Sequence, residues 1–187
     1  MIVCLVICIV IFALMFFAAL AKVSRKAADA HDAPVQIFMD AEDTLHPQAP
    51  IRFVACVTDD EITKAAKTVW AEARGIESRM EQAAVVWCFL NRVDAFGDSL
   101  GKIVTAENQF AYSEESGTVD DFGRDLKELV RDVVERWERE KNGETDVGRV
   151  LPSDYLWFGG DGERNWFRDG FMDFTNIWDW SLPDPYK

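Results

Sequence analysis

Residues 69–93, VWAEARGIESRMEQAAVVWCFLNRV, constrain the fold more than any other part of this chain. Residues 83–90 are apolar on every side of a helix, and a helix with no polar face belongs at the centre of a core. Just before them, Ser78-Arg79-Met80-Glu81 has the form of a capping box, in which Ser78 caps the helix and Glu81 reaches back. Gly75 is placed to end a preceding helix in a left-handed conformation. The stretch predicts two helices meeting at a sharp break, the second of them buried, with Glu72 on the last turn of the first.

That first helix has its own start signal. Thr58-Asp59-Asp60-Glu61 is a second capping box, and Ile62, Ala65, Ala66, Val69 and Ala73 follow at helical spacing. At about 100° per residue, Glu72 falls on the rim of this apolar stripe. Residues 91–100 read as a connection, followed by a polar-aromatic segment, Glu107-Asn108-Gln109-Phe110-Ala111-Tyr112, and an exposed loop at 113–119. A third helix is expected over 120–141, with Phe122, Leu126, Leu129, Val130, Val133 and Trp137 on one face and Asn142-Gly143 as its stop. From 151 onward aromatics and glycines dominate. Residues 155–158 and 165–168 predict short strands joined through Gly159-Gly160-Asp161-Gly162. The expectation is an α+β domain over 57–187, mainly helical, with a small antiparallel β layer.

Upstream, residues 2–21 form an unbroken apolar run of about the length that crosses a bilayer. A signal peptide would use Ala19-Leu20-Ala21 as its cleavage site, but no cationic residue precedes the apolar core. An uncleaved transmembrane anchor fits the length better. Lys22, Arg25 and Lys26 follow it, and by the positive-inside tendency they would hold the domain in the cytoplasm. Residues 22–56, rich in Ala, Asp and Pro, read as a linker, with a short helix or strand possible at 35–39.

Net charge excludes one large class of function. At −13 the chain lacks the clustered cations that grip a phosphate backbone, so no nucleic-acid partner is expected. The two histidines, His31 and His46, both precede the folded region. Zinc catalysis and Ser-His or Cys-His nucleophilic chemistry thereby lose their usual imidazoles, and neither a metal nor a cofactor is expected. Cys4 and Cys8 lie in the apolar run. Cys56 and Cys88 could pair in an oxidising compartment, although a buried thiol is the simpler reading of Cys88.

Two features could carry chemistry. A carboxyl at the edge of an apolar helical face is partly desolvated. Desolvation favours the protonated form, which can hand a proton to a leaving glycosidic oxygen. Glu72 is the candidate for that role. Its alternative is a solvated residue paired with Lys67 or Arg74. The aromatic C-terminal part is the second feature, because rings interspersed with amides suit the C–H faces of sugars. Gln109 and Asn165, flanked by aromatics, are placed for ligand contact. Trp157, Phe158 and Phe167 read more simply as core. Asp161 or Glu163 could supply a second carboxylate, although Gly160-Asp161-Gly162 has the form of a structural turn.

Ala71-Glu72-Ala73-Arg74-Gly75, followed by Gln82-Ala83-Ala84-Val85-Val86 and Leu90-Asn91-Arg92-Val93, resembles the cell-wall hydrolase family typified by the spore cortex-lytic enzyme SleB. Gln109-Phe110-Ala111-Tyr112 is similar to that family's Gln-Phe-Ser block, with Ala111 at the serine, and Tyr155-Leu156-Trp157-Phe158 to its aromatic strand. The likeness covers about residues 62–168. Departures are Ile76 between Gly75 and Glu77, and Glu81 at a position that is often glycine. The resemblance implies a lysozyme-like domain that cleaves peptidoglycan between N-acetylmuramic acid and N-acetylglucosamine. It makes Glu72 the catalytic acid/base; on this reading Gln109, Phe110, Tyr112, Trp157 and Asn165 are the candidate substrate contacts. It also implies a lytic transglycosylase, in which one glutamate serves both steps and the product carries a 1,6-anhydro ring.

On this reading the partners are glycan strands of the wall and, through the N-terminal segment, a membrane. The domain would stand on the extracytoplasmic side, anchored or secreted. Two other readings compete: a tethered module that binds wall without cutting it, and a cytoplasm-facing membrane protein of unrelated role.

Overall fold

The computed structural model describes residues 57–171 and 175–187, all of which lie in one compact unit spanning 49–187. The apolar run at 2–21, the linker at 22–56, both histidines, and Cys4, Cys8 and Cys56 lie outside the described residues. Among those described, no helix is long and apolar enough to cross a membrane.

Helix α1 (Asp59–Ala73) starts as its sequence predicts. The Thr58 hydroxyl accepts from the Glu61 amide, and the Glu61 carboxylate accepts from the Thr58 amide at 3.0 Å, closing the capping box. Such caps contribute about 1 kcal/mol. The other Glu61 oxygen accepts from the Gly101 amide at 3.1 Å and ties the start of α1 to a later segment. The end of α1 differs from expectation. Its cap is Arg74 in a right-handed conformation, and Gly75 has no positive φ. The exposed carbonyls are met by a side chain instead. Buried Gln82 donates through Nε2 to Ala73 O and Ile76 O, both at 3.2 Å, so no left-handed turn is needed to satisfy them.

Helix α2 (Arg79–Phe96) is the central element, with every residue from 82 to 92 buried. Trp87, Phe89 and Leu90 are inaccessible to solvent, each worth roughly 1.5–3 kcal/mol of burial. Its capping box is half made: Ser78 Oγ accepts from the Glu81 amide, but the Glu81 carboxylate turns away to accept from the Asn165 amide. Gly97, at φ 70°, gives α2 the left-handed stop that Gly75 does not give α1. The expected connection at 91–100 is thus mostly helix. Ser99 then caps a short helix α3 (Leu100–Val104), a single turn whose period is too brief to read in sequence. Gly101 has a packing reason, since a Cβ there would lie 2.9 Å from Glu61 Cγ.

Helix α4 (Leu126–Lys141) starts six residues later than expected. The buried Asp120 carboxylate accepts from the amides of Phe122 and Arg124 and from Arg124 Nε, and Gly123 adopts φ 77°, so 120–124 is a turn. Asp125 becomes the cap. Phe122, expected on the apolar face, is 50% exposed; Leu126, Leu129, Val130, Val133, Val134 and Trp137 hold that face. Asn142 and Gly143 end the helix as the sequence indicates.

Two strands complete the α+β domain. β1 (Trp157–Gly160), starting two residues later than predicted, pairs antiparallel with β2 (Asn165–Arg168), Phe158 opposite Phe167 and Gly159 opposite Trp166. Phe158 and Phe167 face the core, where Phe158 stacks on Phe110 with ring centroids 5.7 Å apart. The tail folds back on this hairpin through Trp178 N to Phe167 O (2.9 Å), and Trp180 packs edge-on against Phe167.

Candidate functional site

Glu72 is half-buried and pairs with neither Lys67 nor Arg74. Lys67 bonds Glu114 at 2.8 Å, and Arg74 lies flat on the Trp70 ring, 4.0 Å from its centroid, with Nε 3.8 Å from Asp121. The solvated ion-pair reading is therefore displaced. Glu72 Oε1 instead accepts a 2.7 Å hydrogen bond from the Ala111 amide. Among the described residues nothing donates to Oε2.

The carboxyl lines an open cleft of about 280 Å³ made by residues 71–76, Asp121 and Gly162. Three segments meet there, each for a local reason. The end of α1 is held by Gln82, whose amide also donates to Asp120 at 3.0 Å. The 105–121 segment is strapped to α1 by Lys67–Glu114, by Glu72–Ala111 and by the Asp121 amide on Arg74 O. It passes so close to Trp70 that a side chain at Gly117 would come within 3.1 Å of the indole nitrogen. The hairpin turn at 161–164 is fixed by Asp161, whose Oδ1 accepts from the amides of Glu163 and Arg164. Those bonds hold the Asp161 carboxyl below its ordinary range. Asp161 is thus a turn residue, and the second carboxylate in the cleft is Asp121. Sequence reading missed it because Asp121 sat inside a predicted helix.

Burial alone would raise the Asp120 carboxyl, yet the Arg124 amide, the Gln82 amide and the Arg124 guanidinium together hold it down. Asp120 is a brace that ties the 120–124 turn to Gln82. Glu81 is the opposite case. Desolvation pushes its carboxyl above the ordinary value, against the Asn165 amide and the Arg164 charge, with Asp161 adding to the rise.

The other expected contacts divide into three places. Gln109, Phe110 and Trp157 gather around buried Arg92, which donates to Gln109 Oε1 (3.2 Å) and Leu156 O (2.6 Å) and lies 4.5 and 4.4 Å from the Phe110 and Trp157 ring centres. In sequence Arg92 is one residue of the Leu-Asn-Arg-Val block, yet in the fold it organises three of those residues. Tyr112 donates to Glu114; burial, then the Glu114 carboxylate, push its phenol up to about 12. Asn165 is only 4% exposed, facing Gly160 across the hairpin, and its Nδ2 has no partner among the described residues. It reads as a buried strand residue. Cys88, also buried, has its thiol pushed up to about 12 by desolvation, with Arg92 opposing. Among the described residues no group of three or more His, Cys, Asp or Glu side chains is placed to hold a metal ion.

Compared with protein-family models, with curated proteins and with solved structures, the chain finds no match in any of the three.

Proposed function

We propose that this chain is a peptidoglycan-cleaving glycosidase, a lytic transglycosylase of the SleB-like cell-wall hydrolase kind with a lysozyme-like domain, and that Glu72 is its acid/base. The observation that carries the reading is a half-buried carboxyl, paired with no cation among the described residues, held by one backbone amide and lining an open cleft. In its protonated form Glu72 gives its proton to the glycosidic oxygen between N-acetylmuramic acid and N-acetylglucosamine, and the bond from that oxygen to the muramic C1 breaks. The resulting carboxylate takes the proton of the muramic C6 hydroxyl as O6 bonds to C1. The anhydro ring closes, the glutamic acid is regenerated, and no water is consumed. The Ala111 amide holds the carboxyl in position between the two transfers. Arg74 and Asp121 supply polar contacts for the sugar, and the domain works on the outer side of the membrane or in secreted form.

The test is digestion of purified peptidoglycan by the full-length chain, with mass spectrometry of the soluble products. Anhydromuramyl ends are expected, and Glu72→Gln should release none. A Glu72→Gln protein as active as the wild type would remove the assignment. Wall binding by both forms with no release by either would leave a tethered wall-binding module.

A further inference from the structure

The face of the β hairpin turned away from the core contains one unusual pair. Trp166 projects there, 36% exposed, between the inward Asn165 and Phe167. Opposite it stands Gly159, where an added Cβ would meet nothing within 4 Å. Gly159 therefore supplies no cross-strand side chain to cover the ring. Among the described residues no other ring packs on Trp166, and the Arg164 guanidinium lies 5.9 Å from the ring centroid. The indole is also rigidly mounted. Phe167, its neighbour, is fully buried, and the strand begins at an amide held by Glu81. The same hairpin reaches the Glu72 cleft through Gly162, and four residues of chain span at most ~14 Å.

We infer that Trp166, with Gly159 and Arg164, is a saccharide-stacking subsite, occupied by the part of a glycan strand that runs out of the Glu72 cleft. This rests on the glycan reading of that cleft. A flat ring with no cross-strand side chain over it and an adjacent guanidinium suits the C–H face and hydroxyls of a sugar ring. Continuity with the cleft selects a polymer over a small ligand. The subsite sets how firmly a long strand is gripped and leaves the reacting atoms untouched.

The test uses full-length protein carrying Glu72→Gln, so that binding is read apart from cleavage, and insoluble peptidoglycan sacculi in a sedimentation assay. Adding Trp166→Ala should weaken binding about five-fold, as expected for loss of one aromatic platform. Trp166→Phe should recover most of it. Phe96→Ala, which removes another exposed ring at the end of α2, should change nothing. Equal binding with and without Trp166, or no binding by the Glu72→Gln protein, overturns the subsite. If wild type releases no fragments yet Trp166→Ala still weakens binding, the subsite stands and the catalytic reading falls.

Discussion

Glu81 offers a measurable split between two substitutions. Its carboxylate accepts from the Asn165 amide, the bond that fastens the start of β2 to α2, and it gives up the reciprocal bond of its own capping box to do so. Glu81→Ala strands that amide in a place where Asn165 is almost fully buried. A hydrogen bond to a charged acceptor contributes about 1.5–3 kcal/mol, and the half-exposure of Glu81 argues for the lower part, about 1–2 kcal/mol. For a folded part of this size the loss corresponds to roughly 4–8 °C in Tm. Glu81→Gln keeps a carbonyl acceptor at the same reach and removes the charge that burial disfavours, so it should match the wild type or exceed it. The pH dependence has a definite sign. Because the folded carboxyl titrates above its ordinary 4.5, the stability it contributes is complete below that value and is lost as pH rises through the folded value. The wild type should therefore decline relative to Glu81→Gln over that window. Urea denaturation of the three proteins at several pH values measures all of this. Glu81→Ala unfolding at the wild-type midpoint, or Glu81→Gln as damaging as Glu81→Ala, would refute the latch.

On the proposed transglycosylase reading, Asp121→Asn should leave a 1,6-anhydro product unchanged, because only a hydrolytic route asks the second carboxylate to activate water; a switch in product measured by mass spectrometry would give Asp121 a catalytic part. Gly101→Ala should cost about 1–2 kcal/mol in urea denaturation, since the new Cβ displaces a Glu61 side chain already locked by the Thr58 and Gly101 amides. Arg92→Lys should cost about 2 kcal/mol in the same assay. An ammonium cannot reach Leu156 O and Gln109 together while lying against two rings.

What was legible in the sequence was whatever a local rule controls. The Thr58 box, the buried 83–90 stretch of α2 and the Asn142-Gly143 stop each follow from a few adjacent residues, and the structure contains them. The misread features depend on distant partners. Gly75 was expected to turn left-handed, but Gln82, seven residues on, caps the carbonyls instead. Asp120 was read as helical because its demand for the Arg124 and Phe122 amides, and for Gln82, has no periodic trace. Glu81 carries the same lesson: a capping-box sequence is only an offer, and a strand amide 84 residues away took it. For the site, Glu72 and its rim position were readable. Its Ala111 partner, the Asp121 wall and the gathering of Gln109, Phe110 and Trp157 on Arg92 required the folded chain.

The condition of Cys88 has a practical outcome for testing the proposed membrane attachment and the side on which it would place the domain. A thiol sealed inside α2 and held almost wholly in its protonated form at neutral pH is a poor nucleophile toward maleimides and disulfide reagents. Sidedness can then be mapped with a cysteine introduced on an exposed loop, with Cys88 left in place and only Cys4, Cys8 and Cys56 replaced. The core residue contributes no background signal, and its native packing is preserved throughout the labelling.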